Sequence, residues 1–443
     1  MRSVRRKSSD PSAASYFKKA GREGVILSWN RYENMLPQDG FASLGLCCFD
    51  CLLGPCRINP FSQKEEKTIC GFSRDELVYR NLMRMLGCES CSINCKNDNG
   101  FRETTVNIDK LTEFSIKEIN KLYAESSHQE NITERKVGLG VLNEDYINIC
   151  IEGSSADTIG MFLKVSENLK ETAVESGARG FNILVIGDII SQYPCNIVSD
   201  KGGAELAILT GLVDSYITDV RTVARVRNVI DNYHTYFAQI GDCPEESEIT
   251  SIILSAANAY KKREKSKIEG SSQIETLIIE SCKAERIKEL IESGKYNGLC
   301  ILGNSSNLKL TQDEILCETA KMLIDKRILT ITYGNGAVTL AKHGLLKNND
   351  NIIVIGGNSS ISEIISILSL IPVDKTLAIF PEITDRKDLI TVFAFAGSVK
   401  KVITCSRLPV EGSIMISKKI GELIEYVKPE DTVNRIASYL VGK

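Results

Sequence analysis

Cys48, Cys51, Cys56 and Cys70 succeed one another as C-x2-C-x4-C-x13-C within GLCCFDCLLGPCRINPFSQKEEKTICG, residues 45–71. Four thiolates from one compact loop and a later return suit a [4Fe–4S] cube, one ligand to each iron. Four-cysteine zinc sites also open on C-x2-C, so zinc is the competing reading. Gly54 and Pro55 inside the loop favour the cluster, because small residues let backbone N–H groups approach sulfide. Cys47 adjoins Cys48, and neighbouring side chains diverge, so it needs a destination of its own.

A second group, GCESCSINCKNDNG, places Cys88, Cys91 and Cys95 at i, i+3 and i+7. On a helix these share one stripe about 60 degrees wide. Such a stripe could ligate three irons of a second iron–sulfur centre, leaving a fourth open. The alternative is a helix end whose small residues pack against a neighbour. The remaining seven cysteines, at 150, 195, 243, 282, 300, 317 and 405, stand singly in apolar or helical surroundings. They read as small buried hydrophobes. Three late apolar runs end in Gly-Asn, at Asn304, Asn335 and Asn358. Gly-Asn suits a tight turn after a strand; alternatively, three carboxamides at strand carboxyl ends converge on one polar, ligand-binding pocket.

These residues need elements to hold them. At 443 residues the chain is long enough for two or three domains, and 43% hydrophobic with 25% charged residues describes a globular protein. Residues 12 to about 130 read as helical around the cysteine loop. SRDELVYRNLMRML begins with Ser73 and Glu76 in a capping-box pattern, with Leu77, Leu82 and Met85 near helical spacing. From about 145, short apolar runs alternate with amphipathic stretches, the pattern of parallel sheets covered by helices. A Lys- and Glu-rich stretch marks a boundary near 270, and ETLIIES reads as the first strand of the next unit. The expectation is an α/β protein: a helical iron–sulfur domain over 1–140, then doubly wound, Rossmann-like domains over 141–270 and 271–443.

A net charge of -3 gives no reason to expect nucleic acid. The basic start, MRSVRRK, lacks an apolar segment behind it and reads as a frayed tail rather than a secretory signal. No apolar run approaches the roughly 18 residues of a membrane helix. A soluble, cytoplasmic protein with no membrane partner is expected, and fifteen cysteines then point to metal rather than disulfides.

The segment RYENMLPQDGFASLGLCCFDCLLGPCRINPF, with TICGFSRDELVYRNLMRML after it, resembles the start of the anaerobic nickel-iron carbon monoxide dehydrogenases. The likeness is strong over residues 25–86. It is weaker through GARGFNILVIG, GGAELAILTGLVDSYITDV and ILTITYGNGAVTLAKHGLL. The resemblance implies a shortened, divergent member: a helical domain and two Rossmann-like domains in a homodimer. It assigns a [4Fe–4S] relay cluster to Cys48, Cys51, Cys56 and Cys70. Cys47 falls where the family shares a second cluster across the dimer axis, but the earlier ligand position is Asp39. The family's active-site histidine falls near Ser154, and its cysteines near Gly187 or Asp188, at Thr222, and on Asn304, Asn335 and Asn358.

Carboxamide oxygen is a poor donor to nickel or iron–sulfide, which take thiolate or imidazole. The nickel-bearing cluster is therefore not expected, nor is CO oxidation through it. Three functions follow as expectations. The first is an electron-transfer protein served by a ferredoxin-like carrier. The second is a redox-sensing or small-molecule-binding module using the asparagine crevice. The third is a working carbon monoxide dehydrogenase with unrecognised ligands.

Overall fold

Alternating apolar runs and amphipathic stretches build two sheets whose helices lie between successive strands. The computed structural model describes residues 6–440 except 63, 92–106, 123–132, 221, 223, 242, 281–283 and 348, and gives backbone alone at 88–91, 122 and 440. A two-stranded ribbon, β1 (Cys47–Cys48) and β2 (Cys56–Arg57), precedes both sheets. The larger sheet takes β3 (Thr133–Val137), β4 (Ile147–Glu152), β5 (Phe181–Ile186), β6 (Asn196–Ser199), β7 (Val213–Asp219), β8 (Tyr236–Ile240) and β9 (Glu275–Ile279). Their order is β8-β7-β4-β5-β6-β3-β9. The smaller sheet takes β10 (Leu299–Leu302), β11 (Leu329–Thr332), β12 (Ile352–Val354), β13 (Thr376–Phe380), β14 (Val402–Thr404) and β15 (Ile424–Tyr426). Its order, β12-β11-β10-β13-β14-β15, is parallel throughout.

Both sheets are doubly wound. The chain runs outward from β10 through β11 to β12, then returns to β13 on the other side, leaving a switch point between β10 and β13. The larger sheet repeats this around β4, with β7 across the switch. The α/β expectation thus holds. One strand assignment does not: ETLIIES, expected to open the second unit, is β9, which pairs antiparallel with β3 at the edge of the first sheet. The Lys- and Glu-rich stretch before it is a surface connection. Its composition marks solvent exposure, not the end of a sheet. β3 likewise lies inside the stretch assigned to the helical domain.

The helical third does not have a core to itself. Helix Ala13–Glu23 buries Ala13, Tyr16 and Ala20 with Leu206 and Tyr216 of the first sheet's layer. Helices Arg74–Cys91 and Ile108–Leu122 bury Leu77, Leu82, Leu86 and Ile119 with Phe393 and Phe395, which belong to the helix after β13. The expected capping box is present: Glu76 Oε2 accepts from the Ser73 backbone N–H at 2.8 Å. Among the described residues no helix is long and apolar enough to cross a membrane.

One buried cation joins the N-terminus to both sheets. Lys342, on the helix after β11, pairs with Asp10, Asp200 and, at 3.3 Å, Asp313. Ser8 and Asp10 are buried, and the Gln312 N–H donates to the Lys7 carbonyl. The basic start was expected to fray; Arg6 and Lys7 instead lead directly into this anchored strap, while 1–5 lie outside the described residues. Burial alone would push the Lys342 ammonium down, but the three carboxylates hold it well above its ordinary value. Lys342→Met should therefore cost about 3–5 kcal/mol, because it leaves buried carboxylates without a counter-charge. Asp313→Asn should cost much less, since burial and Asp200 already push that carboxyl up. Urea denaturation of the two variants checks the order.

Candidate metal centre and strand-end crevice

The cysteine loop is held from beneath by its own short ladder. Cys48 stands opposite Cys56, and Cys47 opposite Arg57. Asn81, on helix Arg74–Cys91, donates to the carbonyls of Gly45 and Cys47, both at 2.8 Å. Leu46, Ile58 and Cys48 sink into the core, while Cys51 and Cys70 are exposed. Within the loop the Gly54 N–H donates to the Cys51 carbonyl at 3.3 Å. A Cβ on Gly54 would lie 2.8 Å from the Cys56 nitrogen, so the backbone closes this tightly only around glycine.

The four spaced cysteines are neighbours in space. The Cys70 thiol is pushed up by desolvation and then by the thiols of Cys51, Cys56 and Cys48. Thiols gathered this closely can release their protons together to a bound metal. All described cysteines are free thiols. Cys47 faces elsewhere: burial and then Asp39 push its thiol up, against Arg57. Asp39 is already engaged, its carboxylate capping helix Gly40–Ser43 by accepting from the Ala42 N–H at 2.8 Å. Around the loop Phe49, Leu52, Leu53, Phe61 and Ile69 stand exposed.

Cys88 and Cys91 lie on helix Arg74–Cys91, but their side chains, and Cys95 altogether, fall outside the described residues. Of the single cysteines, 150, 195, 300, 317 and 405 are buried as expected. Cys243 is exposed, because it sits in the turn after β8 rather than on a core-facing element. Cys282 lies outside the described residues.

The strand carboxyl ends of the two sheets meet face to face, and several residues pair across that meeting. Asn358 donates from its backbone and side chain to Asp188, at 2.9 and 3.0 Å. Asn335 Oδ1 accepts from the Lys201 backbone at 2.7 Å. The Lys201 ammonium lies between Asp385 at 3.1 Å and Asp388 at 3.8 Å. A Cβ on Gly153 would fall on the Thr222 hydroxyl, and one on Gly187 would meet the Lys201 side chain. What remains is a cavity of about 20 Å³, lined by Asp188, Lys201, Asp219, Thr222, Asn358 and Lys387 among others.

Of the three asparagines, Asn358 lines this cavity; Asn335 Oδ1 is turned to Lys201 while its amide nitrogen is buried without a partner, and both carboxamide atoms of Asn304 are buried without a protein partner. Ser154 Oγ is likewise buried and unpartnered. Sequence reasoning passed over Lys201, Asp385, Asp388 and Glu382. The run TDRKD after β13 was a visible signal, since Asp385 and Asp388 form a capping box at a helix start. Glu382 is buried beside Asn307, whose N–H donates to its Oε2 at 2.5 Å. Burial pushes the Glu382 carboxyl well above the ordinary carboxylate range, with Asp313 and Asp200 adding to the rise.

The profile of the Prismane/CO dehydrogenase family matches residues 120–372, more than half of the chain. Carbon monoxide dehydrogenase 1 of Methanosarcina mazei is 24% identical over 482 aligned positions, covering 77% of this chain and 76% of that protein. Carbon monoxide dehydrogenase 2 of Carboxydothermus hydrogenoformans is 22% identical over 487 positions, covering 77% and 76%. Among solved structures, carbon monoxide dehydrogenase IV of Carboxydothermus hydrogenoformans superposes with a TM-score of 0.77 at 18% identity, covering 99% of both chains. That likeness establishes the shared fold.

A carboxyl raised on folding supports the native state below its unfolded pKa and withdraws that support as pH rises toward the folded value. Stability should therefore fall from about pH 5 upward more steeply in the wild type than in Glu382→Gln, by up to about 1.4 kcal/mol per pH unit. Denaturation of both proteins at pH 5 and pH 8 checks this: the variant should be the more stable at pH 8.

Proposed function

Because the chain belongs to the Prismane/CO dehydrogenase family, we propose that it is an iron–sulfur redox protein on that family's scaffold. Cys48, Cys51, Cys56 and Cys70 would hold a single [4Fe–4S] cluster, which when bound supplies one-electron transfer. The observation that carries this reading is the gathering of Cys48, Cys51 and Cys56 around the Cys70 thiol on a ladder fixed by Asn81. Cys48 roots the site in the core, while Cys51 and Cys70 bring it to the surface. Gly54 keeps the backbone close enough for amide N–H groups to face the sulfur atoms.

A nickel–iron–sulfur cluster does not fit the crevice between the sheets. The cavity of about 20 Å³ is roughly the room for one water. The residues standing at its family ligand positions are hydroxyl, carboxylate, carboxamide and glycine, which are hard donors or none. Electrons would instead pass between the cube and a small one-electron carrier of the ferredoxin kind.

The apolar side chains around the loop suit a second copy of this chain, since five exposed large hydrophobics in one loop are costly facing water. Asp39 is committed as a helix cap, so the reading does not need it as an iron ligand.

Anaerobically purified protein should hold about four irons and four acid-labile sulfides per chain, falling steeply in Cys51→Ser and Cys70→Ser. Nickel at one equivalent, with CO-dependent reduction of a viologen dye, would reverse the proposal. About eight irons per chain would instead place a second cube, for which Cys88, Cys91 and Cys95 are the available thiols. Sedimentation velocity tests the partner: the wild type should run as a dimer and the Leu52→Asp, Phe61→Asp double variant as a monomer.

A further inference from the structure

Two of the four loop cysteines are set apart from the other two. Cys48 and Cys56 face each other across the β1–β2 ladder, one buried and one half-buried. Cys51 and Cys70 stand on turns outside that ladder, and both are exposed. Cys51 opens the turn that the Gly54 N–H closes by donating to its carbonyl at 3.3 Å. Cys70 sits in a second turn, closed by the Gly71 N–H donating to the Thr68 carbonyl at 2.8 Å. Gly71 holds a φ of +86°, and nothing lies within 4 Å of where its Cβ would be, so this turn has open space beside it. The two turns meet through their thiols, which are hydrogen-bonded to each other.

Two thiols in contact, both open to solvent, have what thiol–disulfide exchange requires. Closing from contact to a covalent bond needs backbone that can follow, and both residues lie on turns rather than on a paired strand. The single cysteines at 150, 195, 300, 317 and 405 are buried, out of reach of a dissolved oxidant.

We propose that Cys51 and Cys70 are an oxidation site, which a low-molecular-weight disulfide converts to a reversible intrachain disulfide that shuts the loop to metal. One thiolate attacks a sulfur of the small disulfide, forming a mixed disulfide and releasing one small thiolate. The other thiolate attacks the protein sulfur of that mixed disulfide, forming the bond between Cys51 and Cys70 and releasing the second small thiolate. The cysteine pair gives up two electrons and two protons, and the small disulfide ends as two thiols. Cys48 and Cys56 alone are too few for a four-thiolate cube, so metal loading and the disulfide exclude each other. The gate rests on the cluster reading of this loop; the disulfide does not.

The probe is oxidised glutathione, added anaerobically to full-length protein that has been stripped of metal and reduced. Trypsin leaves Cys70 as the only cysteine of peptide 68–74 and places Cys51 in peptide 32–57. After alkylation of the remaining thiols the two peptides should be linked, with tandem mass spectrometry placing the bond at Cys51 and dithiothreitol removing it. Cys70→Ser should instead keep one glutathione on Cys51, the exchange stalled at its first step. Oxidised protein reconstituted with ferrous iron and sulfide should take up at least about tenfold less iron than the reduced protein, and dithiothreitol should restore uptake. No link between the two peptides overturns the proposal, as does a link at Cys47, Cys48 or Cys56, or one joining two chains on non-reducing electrophoresis. Equal iron uptake by oxidised and reduced protein overturns the gate. Reduced protein that takes up no iron defeats the cluster reading and the gate with it, while the peptide link still decides the oxidation site.

Discussion

Two sheets turn the carboxyl ends of their strands toward each other, and charged groups placed there are answered from the other side. Lys201 is the centre of that exchange. Its backbone N–H meets Asn335 and its ammonium meets Asp385 and Asp388, so a residue after β6 is tied to loops after β11 and β13. Asp188 does the same for Asn358. Buried charge is tolerable only when paired and hydrogen-bonded, and these pairs span the crevice. Closing it and joining the sheets are one event.

The groups that join the sheets there are ammonium, carboxylate and carboxamide, and the cavity beside them holds about 20 Å³. Soft donors are concentrated in the N-terminal loop instead, where Cys48 is packed against Leu46 and Ile58 and the outer thiols face solvent. The proposed electron-transfer role rests on that concentration of thiols.

The helical third also differs from a detached cluster-bearing module. Its first helices complete the core of the larger sheet, and its later helices complete that of the smaller. Lys342, bonded to Asp10, Asp200 and Asp313, fastens the strap before the first helix to both sheets. The cysteine loop is thus braced on a layer whose other face is the second sheet's helix at Phe393 and Phe395.

Local patterns were legible because their causes are local. Apolar runs of five or six residues announced β4, β5 and β13, Ser73 and Glu76 announced a helix start, and cysteine spacing announced the thiol cluster. Short strands with little alternation, such as β3 at TERKV, carried no such mark, and β9 was recognised as a strand but placed in the wrong sheet. Pairing is a long-range choice that a strand's own residues do not encode. The Gly-Asn turns likewise showed where chemistry was possible and not what each carboxamide would meet. Asp10 meets Lys342 across 332 positions and Lys201 meets Asp385 across 184, separations at which no periodicity survives. The sequence alone determined the strongly patterned elements, the fold class and which thiols are adjacent. Only the tertiary structure decided which residues pair across the crevice, because that depends on charges brought together from distant segments, each of which reads by itself as an ordinary solvated residue.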